Sequence, residues 1–223
     1  MDQNLLTYLE SFLTSHRKER FMEVLGSRTN FLTVVAEDVF QMHNASAIVR
    51  SCDVFGIQQL HLIVDRFGNS IDKNIAVGAQ RWVDVHTYKS SVECIDFLVD
   101  QGYRIVATSP SPEAIDINAY NLTDKTALFF GTEKEGLSSE VLEAADDTLQ
   151  IPMVGFSESL NVSVSVAIIL QFLAGKLRQS ELPWQLDQEE ILKKRLEWTR
   201  KTIKNSEQII ERYYSEIVKP TNR

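Results

Sequence analysis

The sequence predicts an α/β fold built on a mainly parallel sheet. Two observations lead to it. Short apolar runs alternate with helical patterns of roughly ten residues, the arrangement that βαβ crossovers require. Strands such as ALFF are dry along their whole length, as in a sheet covered on both faces. No internal repeat or low-complexity tract interrupts the pattern.

Leu5, Leu9, Phe12 and Leu13 recur at helical spacing, so the chain opens on an amphipathic helix, and Gly26 closes a second helical stretch, FMEVL. FLTVVAEDV reads as a strand. Asn44 begins a helix with Ile48, Cys52 and Phe55 on one face, and Gly56 stands where a helix C-cap belongs. Gln58 to Val64 is the next strand. An irregular stretch follows, and Arg81 to His86 forms a shorter strand. Ser91 caps a helix ending near Gly102; YRIVATS and KTALFFG are strands, SSEVLEAA a helix and TLQIP a last short strand. A helix runs from about Val162 to Arg178, Pro183 marks a linker, and a long charged helix extends from about Asp187 to Ile217. Three parts result: an N-terminal helical extension (1–27), an α/β domain (28–179) and a C-terminal helical extension (180–223).

Composition narrows the function. The 223 residues are 43% hydrophobic and 24% charged, ordinary for a globular protein. No run approaches the roughly 18 apolar residues of a membrane span, and MDQNLLTYLESF does not resemble a secretory signal. A cytoplasmic protein without membrane partner is expected. Cys52 and Cys94 fall in helical patterns and read as buried reduced thiols, with no metal site implied. The net charge of −8 argues against non-specific coating of nucleic acid. Positive charge is nevertheless concentrated near both ends. Arg17, Lys18 and Arg20 form one cluster; Lys193, Lys194, Arg195, Arg200 and Lys201 form another, continued by Lys204. They are either solvated helix faces or, if the core acts on RNA, its first candidate phosphate contacts.

In open parallel sheets, ligands bind outside the carboxyl ends of strands. Three segments stand there. HNASAIVR sets Asn44 and Arg50 six positions apart; FFGTEKEG follows a dry strand with Gly131 and Glu133; IPMVGFSESLNVSVS is a long polar loop between two dry elements. Read singly, the first is a helix cap with a surface cation and the second a turn with a satisfied carboxylate. GTEKEGLS has the glycine spacing of a P-loop, but Leu137 stands where its lysine belongs, so ATP chemistry is not indicated.

Together, in this order, the three segments resemble the motifs of the SpoU/TrmH family of SPOUT RNA 2′-O-methyltransferases, over about Leu32 to Leu177. The third departs from the family pattern only at Ser165. The short N-terminal and long C-terminal helices are similar to those of the tRNA-acting TrmH branch. The resemblance implies a C-terminal trefoil knot, which no periodicity would reveal, and S-adenosyl-L-methionine as cofactor. Ile151, Met153 and Leu160 would meet the adenine, with Thr108, Ser109 and Gly131 lining the same pocket. Asn44, Arg50, Glu133, Ser159 and Asn161 would carry catalysis on a tRNA ribose, with a D-loop guanosine as target. A homodimer is implied, with first-motif side chains facing the partner's cofactor. Arginine is always protonated in proteins, so Arg50 suits a clamp on a phosphate or ribose oxygen better than a base, and His43 is a titratable neighbour. Three alternatives stay open: an rRNA methyltransferase of the same family, a catalytically silent RNA-binding homologue, and a small-molecule enzyme on a similar sheet.

Overall fold

Alternate residues of the central strands face two different cores, which is why those strands read as unbroken apolar runs. A computed structural model of the chain describes residues 3–39, 41–64 and 81–217. It divides into two compact units, Thr29–Trp184 and a terminal unit made of Met1–Arg28 with Gln185–Arg223.

The larger unit holds seven parallel strands in the order β3-β2-β1-β6-β4-β7-β5. They are β1 (Leu32–Glu37), β2 (Gln59–Ile63), β3 (Asp84–Tyr88), β4 (Arg104–Thr108), β5 (Ile115–Asp116), β6 (Thr126–Phe130) and β7 (Asp147–Gln150). Every residue of β1 and β6 is buried. Leu32, Val34 and Ala36 of β1 face one core with Leu128 and Phe130 of β6; Val35, Ala127 and Phe129 face the other. This period of two is the pleat, and both faces are dry because helices cover both. The first core is closed by α3 (Met42–Phe55) and α6 (Val162–Arg178), the second by α4 (Ser91–Asp100) and α5 (Ser139–Ala144). Gly56 ends α3 in the left-handed conformation at φ 76°, where a side chain would be strained. Cys52 and Cys94 are buried free thiols, one in each core.

Several boundaries differ from the sequence reading. α3 starts at Met42, so Asn44 lies in its first turn rather than capping it; the cap position, Gln41, makes no side-chain cap bond. Ser90, not Ser91, caps α4, accepting from the Glu93 N–H at 3.2 Å. β3 begins at Asp84, later than expected, and β5, too short for any pattern, was missed. The irregular stretch expected after Val64 lies largely outside the described residues.

The terminal unit joins α1 (Gln3–Glu10) and α2 (Ser15–Leu25) to α7 (Gln188–Thr202) and α8 (Ser206–Arg212). Trp198 is buried there against Phe21, ring centroids 5.6 Å apart and edge-on. Arg195 of α7 donates from Nε and Nη2, one edge of its guanidinium, to both carboxylate oxygens of Glu10 of α1, at 2.7–3.1 Å. The single long C-terminal helix expected from sequence is broken. Asn205 takes φ 57° between α7 and α8, and a π-helical turn follows at Tyr213–Ile217. Asp187 and Glu190 form a capping box that sets the start of α7 by side-chain chemistry. Among the described residues, no helix is long and apolar enough to cross a membrane.

Candidate active site

β6, β4 and β7 are neighbours in the sheet and parallel, so their carboxyl ends open on one edge. A cavity of about 320 Å³ lies there, of the size that takes a nucleoside-like ligand. Thr108 and Ser109 enter it from β4, Gly131 from β6, and Ile151 and Met153 from β7; Ser159 and Leu160 close it from the loop before α6. All six residues expected to hold the cofactor therefore line one cavity. Thr108 is fixed by its hydroxyl donating to the Phe129 carbonyl at 2.8 Å, and Ser109 by its N–H donating to the Leu149 carbonyl at 3.0 Å.

The turn after β6 is tight for a visible reason. Thr132 and Gly136 exchange backbone hydrogen bonds of 3.3 and 3.0 Å, closing a short hairpin, and Gly136 takes φ 68°. A Cβ on Gly131 would sit 2.2 Å from the Gly136 carbonyl carbon, so only glycine permits this closure. The hairpin carries Glu133 to the edge of the cavity.

Glu133 is where the three sequence segments meet. Its Oε1 accepts from the Asn44 Nδ2 at 3.0 Å, from the Asn161 Nδ2 at 3.3 Å and from the Val162 N–H at 3.4 Å. Asn161 also donates to the Asn44 Oδ1 at 3.0 Å, and its own Oδ1 caps α6 by accepting from the Ser163 N–H at 2.9 Å. Each amide is thus oriented by at least two partners, and one carboxylate is the common acceptor. Such a network fixes a geometry more strongly than its separate bonds would.

Arg50 lies apart from this cluster. It is exposed on α3, does not line the cavity, and its side chain makes no hydrogen bond or ion pair among the described residues. Six positions along a helix carry a side chain about two-thirds of the way round the axis, which explains why Asn44 and Arg50 face differently. His43 is also exposed.

The basic clusters belong to the terminal unit, and there most cations already have partners. Arg20 pairs with Glu23 at 2.7 Å, Lys194 and Lys201 both pair with Glu197 at 2.6 and 2.5 Å, and Arg200 pairs with Glu207 at 2.8 Å. Burial pushes the Glu197 carboxyl up, but the two lysines outweigh it and hold it below its ordinary value. Arg195 is committed to Glu10. Arg17, Lys18, Lys193 and Lys204 make no such pair among the described residues.

The sequence reading missed other lining residues. Val162, Ser165 and Ile169 present one face of α6 to the cavity, and their helical spacing was the available signal. Lys134 and Glu135 line it from the hairpin. Glu37 was also missed. It is buried at the exit of β1 and bound to Ser138 and Ser91, and nothing in its local sequence marks it.

Comparison with known proteins agrees with this geometry. A family model described as the SpoU rRNA methylase family matches residues 31–171. A tRNA (guanosine(18)-2′-O)-methyltransferase of Borreliella burgdorferi is 40% identical over 208 residues, covering 92% of this chain and 95% of that protein. The protein of the same name from Escherichia coli K12 is 37% identical over 164 residues, covering 74% and 71%. Among solved structures, the A. aeolicus TrmH/SpoU tRNA modifying enzyme superposes with a TM-score of 0.73 at 34% identity, over 85% of this chain and 98% of that one.

Proposed function

This chain belongs to the SpoU rRNA methylase family, and we propose that it transfers a methyl group from S-adenosyl-L-methionine to the ribose 2′-oxygen of a tRNA guanosine, at position 18 in the D-loop. The observation that carries the proposal is the convergence of Asn44, Glu133 and Asn161 at the edge of the strand-end cavity. The tRNA assignment is supported by relatives that align along nearly their whole length.

The residues present fit the cofactor. Ile151, Met153 and Leu160 offer apolar contact for an adenine, while Thr108 and Ser109 add polar groups beside backbone that Gly131 lets approach closely. The bound cofactor supplies a methyl group activated on a sulfonium. The chain's own part is to hold the acceptor ribose in line and to stabilise the oxygen as its proton leaves. The network of Asn44, Glu133 and Asn161, of which Glu133 lines the cavity, is the oriented hydrogen-bonding group assigned to that task. Arg50 offers a planar guanidinium fork, so its work is to clamp a phosphate or ribose oxygen, and a substrate phosphate takes up the hydroxyl proton.

Arg50 reaches a cavity in this reading because the enzyme is a homodimer. Val164 and Ile168 stand one turn apart and exposed on α6, and Val154 and Phe156 are fully exposed in the preceding loop. Pairing through this surface would cover them and bring one protomer's α3 to its partner's cavity. The segment from Gly155 to Asn161 is read as part of a trefoil knot, and tRNA phosphates as the partners of Arg17, Lys18, Lys193 and Lys204.

Incubation with radiolabelled S-adenosyl-L-methionine and either unmodified tRNA or rRNA fragments tests the substrate. Label in tRNA alone is expected. Label in rRNA alone would assign the chain to an rRNA-acting enzyme of the family.

A further inference from the structure

The hairpin that carries Glu133 is held from two directions. Glu133 reaches forward to Asn44, in the segment that follows β1. From the end of β1, Glu37 reaches back to Ser138, just beyond the hairpin. The Ser138 N–H donates to Glu37 Oε2 at 2.7 Å and the Ser138 hydroxyl to Oε1 at 2.5 Å. The hydroxyl of Ser91, the first residue of α4, donates to the same Oε1. Two carboxylates thus tie the exit of β1 to the exit of β6, Glu133 through Asn44 and Glu37 through Ser138.

Glu37 is 1% exposed. A carboxylate so placed is costly to desolvate, which its donors offset, and an apolar side chain would fill a strand end at less expense. What the carboxylate adds over an apolar residue is direction. It sets the position of Ser138, and so the end of the turn whose Gly131 and Gly136 line the cavity. The geometry points to Glu37 as a positioning residue for methyl transfer, fixing through Ser138 the hairpin that borders the cofactor cavity and bears Glu133. The inference rests on the methyltransferase reading of that cavity.

The test measures S-adenosyl-L-methionine affinity by calorimetry, with turnover on tRNA and the melting midpoint recorded beside it. Glu37→Leu and Ser138→Ala should each weaken cofactor binding about tenfold at temperatures well below their melting, the effect of losing a charge-assisted hydrogen bond. Glu37→Gln should fall between wild type and Glu37→Leu, because an amide can still accept the Ser138 N–H while the hydroxyls turn to accept from it. The double variant should bind the cofactor no more weakly than Glu37→Leu alone, since that change already removes both bonds from Ser138; the α5 cap lost in Ser138→Ala and the Ser91 bond lost in Glu37→Leu are read in the melting midpoint. If Glu37→Leu does not fold, Ser138→Ala carries the test. Wild-type affinity and KM in a folded Ser138→Ala or Glu37→Leu protein would overturn the inference, as would additive losses in the double variant. Absence of cofactor affinity in the wild type would instead overturn the functional reading, and this inference with it.

Discussion

Glu133 accepts a hydrogen bond from Asn44 at 3.0 Å, although 89 positions separate the two in sequence. Both side chains come from strand exits, one after β1 and one after β6, and those strands are paired in parallel from Leu32 with Thr126 to Ala36 with Phe130. Parallel pairing without stagger is what puts the two exits side by side. Glu133→Ala would leave two amides and the Val162 N–H without their common acceptor. Turnover should fall roughly 30- to 100-fold, corresponding to about 2–3 kcal/mol. Glu133→Gln keeps an oxygen acceptor but loses the charge, and should lie between the two. Single-turnover kinetics on tRNA provide the check; a Glu133→Ala enzyme with wild-type turnover would leave the network without a catalytic role.

Arg50→Ala should abolish turnover and leave cofactor affinity nearly intact, because Arg50 does not line the cavity of its own chain. Arg50→Lys should rescue poorly, lacking the planar fork. Gly131→Ala should lose cofactor binding, because its Cβ would meet the backbone of Gly136 and Leu137. If each site takes its arginine from the partner, mixing inactive Arg50→Ala and Gly131→Ala proteins should restore activity in the heterodimers. Light scattering fixes the oligomeric state. A fully active monomer would remove the shared site.

Among the basic residues, the structure separates those that hold the protein together from those with charge to spare. Reversing Lys193 and Lys204 to Glu should weaken tRNA binding and flatten its salt dependence by roughly 0.7–0.9 log units per lost phosphate contact. Cofactor binding should not change. Arg195→Ala should act otherwise, lowering stability by about 1–3 kcal/mol through loss of the Glu10 bonds. Titrations at several salt concentrations, beside urea melts, distinguish the two behaviours. An unchanged salt slope in the lysine variant would make that cluster a solvated helix face.

His61 gives the fold a dependence on pH. Burial, with His86 as the second cause, lowers its pKa from 6.5 to about 3. Its Nδ1 is within hydrogen-bonding distance of the Tyr88 hydroxyl at 3.0 Å, and its ring stacks on that of His86 with centroids 5.1 Å apart. Between those two values the unfolded chain binds a proton that the folded chain refuses, so stability rises with pH and is lost on acidification. The slope from this residue approaches ~1.4 kcal/mol per pH unit. His61→Asn should be less stable at pH 7 but show a shallower decline between pH 7 and 5. Equal slopes in urea melts of both proteins would contradict the assignment.

The sheet was legible in the sequence because its strands are dry and short and its helices are punctuated by Gly56 and by serine caps. β5 was not, since two residues carry no period, and neither was the break at Asn205, where a polar residue in the left-handed conformation interrupts an otherwise helical charge pattern. Part of the cavity's lining followed from motif resemblance: all six residues expected at the cofactor line it, while the α6 face of Val162, Ser165 and Ile169 was not read. Glu37 could not be read in this way. Its partners Ser91 and Ser138 are 54 and 101 positions away, and each passes locally for an ordinary helix-start serine.

The most direct measurement uses a tRNA transcript in which guanosine 18 is replaced by its 2′-deoxy analogue. With labelled S-adenosyl-L-methionine, the unmodified transcript should gain one methyl group, recovered after digestion as 2′-O-methylguanosine, and the deoxy transcript should gain none. Methyl incorporation into the deoxy transcript, or recovery of the label on a base, would contradict transfer to the ribose oxygen of that guanosine.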